Sequence, residues 1–177
     1  PTLSLYTIDL PETGNPWLFS IAKIIDADDL HMPVDKSTGK HSWPSQDLDE
    51  ELKLSLRILE IEKEYVRAGA KYLAGSGTDV FGTMPGISLH QELAFLTRIG
   101  LTPRQALAAA TSNFSSHLGL KEIGGIREGG LADLIVLDAN PAEDIGNLQK
   151  IALVFQNGRM IDREKLKESG GKSGVKG

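Results

Sequence analysis

Apolar positions along this chain switch between two periods, and the switches mark its elements. Residues 2 to 8 set Leu3, Leu5, Tyr6 and Ile8 among threonines, which predicts a strand. From Leu10 to Ser45 the pattern breaks at Pro11, Gly14, Pro16, Pro33, Gly39 and Pro44, with room for one short helix between Pro16 and Asp26. So long a connection in a compact domain is often a lid or a specificity element. A helical period then carries Leu48, Leu52, Leu56, Leu59 and Val66, with Glu and Lys opposite. It predicts a helix from Asp47 to Ala68, closed by Gly69 at the position after the cap.

The segment Ala70 to Asp79 reads as a short strand that ends in small residues and one carboxylate, followed by a loop with Gly82 and Gly86. Ser88 with Gln91 three residues on has the spacing of a capping box and predicts a helix to Ile99, closed by Gly100. Thr102-Pro103-Arg104-Gln105 repeats that signal with a proline at the first helical position. A further turn of helix is expected from Phe114 to Leu118. Beyond Gly129-Gly130 the chain changes to strands at Ala132 to Leu137 and Leu153 to Gln156, the second returning through Asn157-Gly158 to Ile161. Three parts are therefore expected: an α/β part over 1–120, a small β part over 121–163, and a disordered tail over 164–177.

Composition narrows the partners. A net charge of −5 argues against a nucleic-acid surface, which needs a basic face to displace counterions. No run of 18 apolar residues exists, so no membrane partner is expected. Without cysteine there are no disulfides and no thiolate metal sites, in keeping with a reducing, cytoplasmic compartment. The chain opens on Pro1-Thr2-Leu3, already inside a strand pattern, which suggests a piece cut from something longer.

Asp79 is the sharpest candidate for chemistry. A carboxylate at the carboxyl end of a parallel strand, before a glycine-containing loop, faces the crevice where α/β proteins bind ligands. The same position also suits a carboxylate that only braces the loop. His90, in the first turn of the next helix, can reach that crevice or serve as a local hydrogen-bonding group. His31 lies in an acidic loop, His41 beside Trp43, and His117 in a short helix. No two histidines have the i, i+2 or i, i+4 spacing of a zinc pair. Phosphate-loop, dinucleotide-loop and Gly-x-Ser-x-Gly motifs are absent.

Residues 75 to 159 resemble the closing segment of the amidohydrolase superfamily, nearest its imidazolonepropionase-like and prolidase-like branch. The matching pieces are Gly77-Thr78-Asp79, Gly86 through His90-Gln91-Glu92-Leu93, and Gly100-Leu101-Thr102-Pro103 through Thr111. They continue with Leu118-Gly119-Leu120, Gly125 through Gly129, Ala132-Asp133-Leu134, Asn140-Pro141 and Asn157-Gly158. Phe114 stands where the family usually has proline, and residues 10 to 45 do not align with its motifs.

The resemblance implies a fold: the last two strands and helices of a (β/α)8 TIM-type barrel, plus strands of a small β-sandwich. It also implies a metal-dependent hydrolase of amide or cyclic amide bonds, with one or two divalent ions, commonly zinc, at the barrel mouth. Of the family's ligands only the aspartate of the eighth strand maps here, onto Asp79, as metal ligand and general base. Phe81, Met84, Ile87 and His90 would line the pocket for a small-molecule substrate. The remaining ligands lie outside the chain, so the chain alone is expected to be inactive and to pair with a missing N-terminal half or with itself. A non-catalytic amidohydrolase-like subunit and an independent α/β binding module are the competing readings.

Overall fold

A computed structural model describes residues 48–77 and 86–170, with side chains from 53 onward in the first stretch and up to 166 in the second. The predicted strand at 2–8 and the broken stretch at 10–45 lie outside the described residues.

Helix α1 spans Leu48–Arg67, as its period predicts. It ends in a pair of bonds that satisfies its last carbonyls: Gly69 N–H donates to Val66 O and Ala70 N–H to Tyr65 O. Only a left-handed residue can close that double turn, and Gly69 takes φ 80. Helix α2, Ile87–Arg98, closes in the same way, with Gly100 N–H on Thr97 O and Leu101 N–H on Leu96 O. Helix α3, Pro103–Ala110, opens on the predicted capping box. The Thr102 hydroxyl accepts from Gln105 N–H, and the Gln105 side chain accepts from Thr102 N–H at 2.8 Å. Helix α4, Ser112–Leu118, starts two residues before the predicted turn and stops at Gly119.

The β section is a three-stranded antiparallel sheet in the order β1-β2-β3, built from Leu134–Leu137, Ile151–Gln156 and Arg159–Met160. Leu134 faces Phe155 and Val136 faces Leu153, while an irregularity after Val136 brings Leu137 opposite Ile151. Phe155 in turn faces Met160. Between β1 and β2 a 3-10 helix, Ile145–Gln149, drops Leu148 into the core. The core itself runs from Leu59 on α1 through Tyr72 and Ala74 to Leu93, Phe95, Leu96 and Ile99 on α2 and Ala106 and Ala109 on α3. Among the described residues, no helix is long and apolar enough to cross a membrane.

Four expectations need correction. Ser88 does not cap α2: the cap position is Gly86, with no side-chain cap bond, and Ser88 is buried on the inner face of the helix. The stripe of α1 is rotated from the predicted one. Ser55, Leu59 and Val66 turn inward, whereas Leu56 stands half exposed beside a second outward stripe of Leu54, Ile61 and Tyr65. The tail expected from residue 164 begins instead as helix α5, Arg163–Gly170. Asp162 caps it by accepting from Lys165 N–H at 3.1 Å. Finally, β2 starts two residues earlier than predicted, at Ile151.

Candidate functional site

Residues 70–77, expected as a strand, follow α1 without pairing to another strand among the described residues. Burial along them alternates in part, as it does where successive side chains point to opposite faces. Tyr72 and Ala74 are 5% and 4% exposed and enter the core, whereas Lys71 is exposed and Leu73 and Gly75 are half-buried on the other face. Three hydrogen bonds pin the segment to the helices. The Tyr72 hydroxyl donates to Glu62 Oε2 at 2.7 Å, Ala74 N–H donates to Ala109 O at 2.9 Å, and Asn113 Nδ2 donates to Tyr72 O at 2.9 Å. Burial, and then the Glu62 carboxylate, push the Tyr72 phenol far above its ordinary value, so it remains a donor. The extended path ends at Gly77, which takes a left-handed φ of 59.

Asp79, Phe81 and Met84 lie outside the described residues, so the structure does not place them. Helix α2 carries the two other candidates in its first turn. Ile87 and His90 are both half-buried. Burial lowers the His90 pKa from its ordinary value of 6.5, which favours the neutral imidazole.

The inner face of α2 changes character along its length. Ser88, Gln91 and Glu92 are buried at the end near Gly86, and Phe95, Leu96 and Ile99 follow toward the other end. Glu92 is fully enclosed, at 0% exposure. Charged side chains are almost never fully buried unless paired, and the Glu92 carboxylate is not without a partner. Reading the sequence assigned it no role. The signal available was its spacing, four residues after Ser88 and three before Phe95, which sets all three on one face.

Of the other histidines, His117 is exposed on α4, and His31 and His41 lie outside the described residues. His117 lines a cavity of about 690 Å³ together with Val66, Lys71, Tyr72, Leu101 and Asn113. That cavity opens where the extended segment begins, not beside Gly77. Among the described residues, no group of three His, Cys, Asp or Glu side chains is placed to hold a metal ion. The described residues therefore offer no complete donor set for a metal; the donor the sequence singles out, Asp79, falls between Gly77 and Gly86.

Residues 27–161 match the sequence model of the amidohydrolase family, which bears out the resemblance seen in the motifs. Ochratoxinase from Aspergillus niger is 39% identical over 91 residues, covering 48% of this chain and 18% of ochratoxinase. A putative prolidase from Bifidobacterium longum superposes with a TM-score of 0.54 at 28% identity, over 70% of this chain and 34% of that one. A Xaa-Pro dipeptidase with methionine bound in its active site reaches a TM-score of 0.63 at 20% identity, over 91% of this chain and 33% of that one, a likeness of fold. The chain thus spans about a fifth of ochratoxinase and about a third of these two solved chains.

Proposed function

The chain belongs to the amidohydrolase family, and on that premise we propose that it is the C-terminal part of a metal-dependent hydrolase of amide or cyclic amide bonds. In this reading residues 70–79 form the last strand of a (β/α)8 barrel, α2 is its last helix, and β1 to β3 belong to a small sandwich. The hydrolytic names of ochratoxinase and of the putative prolidase support the reaction class.

The observation that carries the reading is the extended segment itself. One face is pinned into the helical layer through Tyr72 and Ala74, and the other is half covered, with Lys71 exposed and Leu73 and Gly75 half-buried. The segment then ends at Gly77, two residues before Asp79. A carboxylate at that end of a barrel strand faces the mouth, where TIM-barrel chemistry is done.

Asp79 is the chain's contribution to the metal site, with the other ligands supplied from outside the chain. The group held there would be a divalent ion, zinc in first place, which would supply Lewis acidity and lower the pKa of water. The Asp79 carboxylate would take the proton of the attacking water and deliver it to the leaving nitrogen. Phe81, Met84, Ile87 and His90 bound the substrate, with His90 neutral near neutral pH and able to donate or accept one hydrogen bond.

Alone, the chain is inactive in this reading and associates with the missing N-terminal half or with itself. The outward stripe Leu54, Ile61 and Tyr65 and the outward sheet residues Val136, Leu153 and Met160 support that need for a covering surface. The test is Asp79→Asn in the full-length protein, with turnover of an N-acyl amino acid or dipeptide substrate as readout. Loss of kcat by about a hundredfold or more fits a group that moves the proton. Unchanged kcat overturns the assignment.

A further inference from the structure

The turn between β2 and β3 contains the chain's one Asn-Gly step, Asn157-Gly158. Asn-Gly is chemically the least protected asparagine context, because glycine puts no side chain in the way of its own backbone nitrogen. That nitrogen can attack the side-chain amide carbon of the preceding asparagine. Both residues here are solvent-exposed, so neither water nor base is excluded.

The backbone nevertheless holds the reacting atoms. Asn157 and Gly158 take φ of 50 and 73, the paired positive angles of a type I′ hairpin turn. Gly158 N–H, the would-be nucleophile, donates to Ala132 O at 3.0 Å. Asn157 N–H donates to the Asp133 carboxylate at 2.7 Å. Ile161 N–H closes the hairpin on Val154 O at 2.8 Å. Two of these bonds come from residues 132 and 133, just before β1, so the turn is latched from a different strand.

We propose that Asn157 is a deamidation site whose rate is set by this latch, with Asp133 as its controlling residue. The Gly158 nitrogen gives up its proton and bonds to the Asn157 side-chain carbonyl carbon, and ammonia leaves with that proton. Water then opens the resulting cyclic imide at either carbonyl, to give aspartate or isoaspartate. No oxidant or reductant is involved. The first step requires Gly158 N–H to leave Ala132 O, and Asn157 cannot swing while Asp133 holds its amide. Either product places a new carboxylate beside Asp133, and isoaspartate adds a backbone carbon to a two-residue turn. Modification therefore undoes the latch that had slowed it, and the β2–β3 pairing loosens with it.

The experiment incubates the full chain at mildly alkaline pH and follows deamidation at 157 by peptide mapping. Folded chain, chain in urea, Asp133→Ala and Asp133→Asn are compared. The folded chain should react at least about tenfold more slowly than the chain in urea, a factor equivalent to about 1.4 kcal/mol. Asp133→Ala should speed the reaction several-fold, and Asp133→Asn, whose amide oxygen still accepts, should stay near the parent rate. Equal rates in folded and urea-treated chain overturn the proposal, as does an unchanged rate in a folded Asp133→Ala. Should Asp133→Ala fail to fold, hydrogen exchange at the Gly158 amide of the parent chain decides. Protection supports the latch, and exchange as fast as an open amide refutes it.

Discussion

The hydroxyl of Tyr72 donates to Oε2 of Glu62 at 2.7 Å, and this bond ties the extended segment before Gly77 to helix α1. The same oxygen also reaches Glu62 O at 3.2 Å, while Asn113 holds the Tyr72 carbonyl from the other side. Tyr72 is thus the point at which this segment is tied to two helices, α1 and α4.

Tyr72→Phe keeps the ring in the core and removes only the donor. A hydrogen bond to a charged group is worth about 1.5 to 3 kcal/mol, and the half-buried setting of Glu62 puts the expected loss near the lower end. Urea unfolding of the two chains reads this directly, and equal midpoints would dismiss the bond as a contributor. The phenol also has a pH signature. Its folded pKa lies above the unfolded value of 10.0, so its contribution is complete below pH 10 and is lost as pH rises through the folded value. Phenolate absorbance in an alkaline titration should therefore show one tyrosine that ionises only as the fold opens, and Tyr72→Phe should remove it.

His90 gives the opposite sign. Burial lowers its folded pKa below 6.5, so below that pH the unfolded chain binds a proton that the folded chain resists. Its contribution to stability is present above about pH 6.5 and is lost as pH falls through the folded value. Stability measured at steps from neutral to mildly acid pH should decline more steeply for the parent than for His90→Gln. Parallel curves would mean that His90 is not desolvated as described.

Leu96 and Leu56 test where the core lies. Leu96 is fully buried, whereas Leu56, which the helical period places inward, is 50% exposed. Leu96→Ala should cost about 2 to 5 kcal/mol. Leu56→Ala should stay within about 0.5 kcal/mol in the isolated chain. Comparable losses at both sites would restore the inward placement of Leu56.

Two adjacent glycines make a sharper pair. Gly124 has φ 78, and a Cβ there would sit 2.7 Å from Thr111 O, at the junction of α3 and α4, and 2.8 Å from the Ser115 Cβ on α4. Around Gly125 nothing lies within 4 Å. Gly124→Ala should therefore destabilise by about 2 kcal/mol or more, from backbone strain of about 1 to 3 kcal/mol plus overlap with backbone atoms. Gly125→Ala should change little. Similar thermal midpoints for the two variants would contradict the packing of this loop on α4.

What could be read from the sequence was what local rules decide alone. Helix α1, the Thr102–Gln105 capping box and the Asn157-Gly158 hairpin each rest on residues within a turn or two of one another, and each stands where its pattern puts it. Ser88 fails because two helix starts compete. Its spacing to Gln91 suits a cap, but burial draws both side chains inward and leaves the cap to Gly86. Leu56 fails because a helix with apolar residues on more than one side does not say which side finds a neighbour. The 3-10 helix at Ile145–Gln149 is too short to show a period. It is held by Asp144 accepting from Gly146 N–H and by Asn147 donating to Asn140 O. At the candidate site the pattern pointed to Asp79 and His90 but passed over Glu92, whose burial is a property of the packed helix and not of its charge.

If Asp79 serves a hydrolytic centre whose other ligands lie outside this chain, the chain alone holds little metal. Elemental mass spectrometry on the 177-residue chain, purified without chelator, should find well under one equivalent of zinc or any other divalent transition metal. One or more tightly held equivalents per chain would overturn that assignment of Asp79, because the chain would then complete a metal site from its own residues.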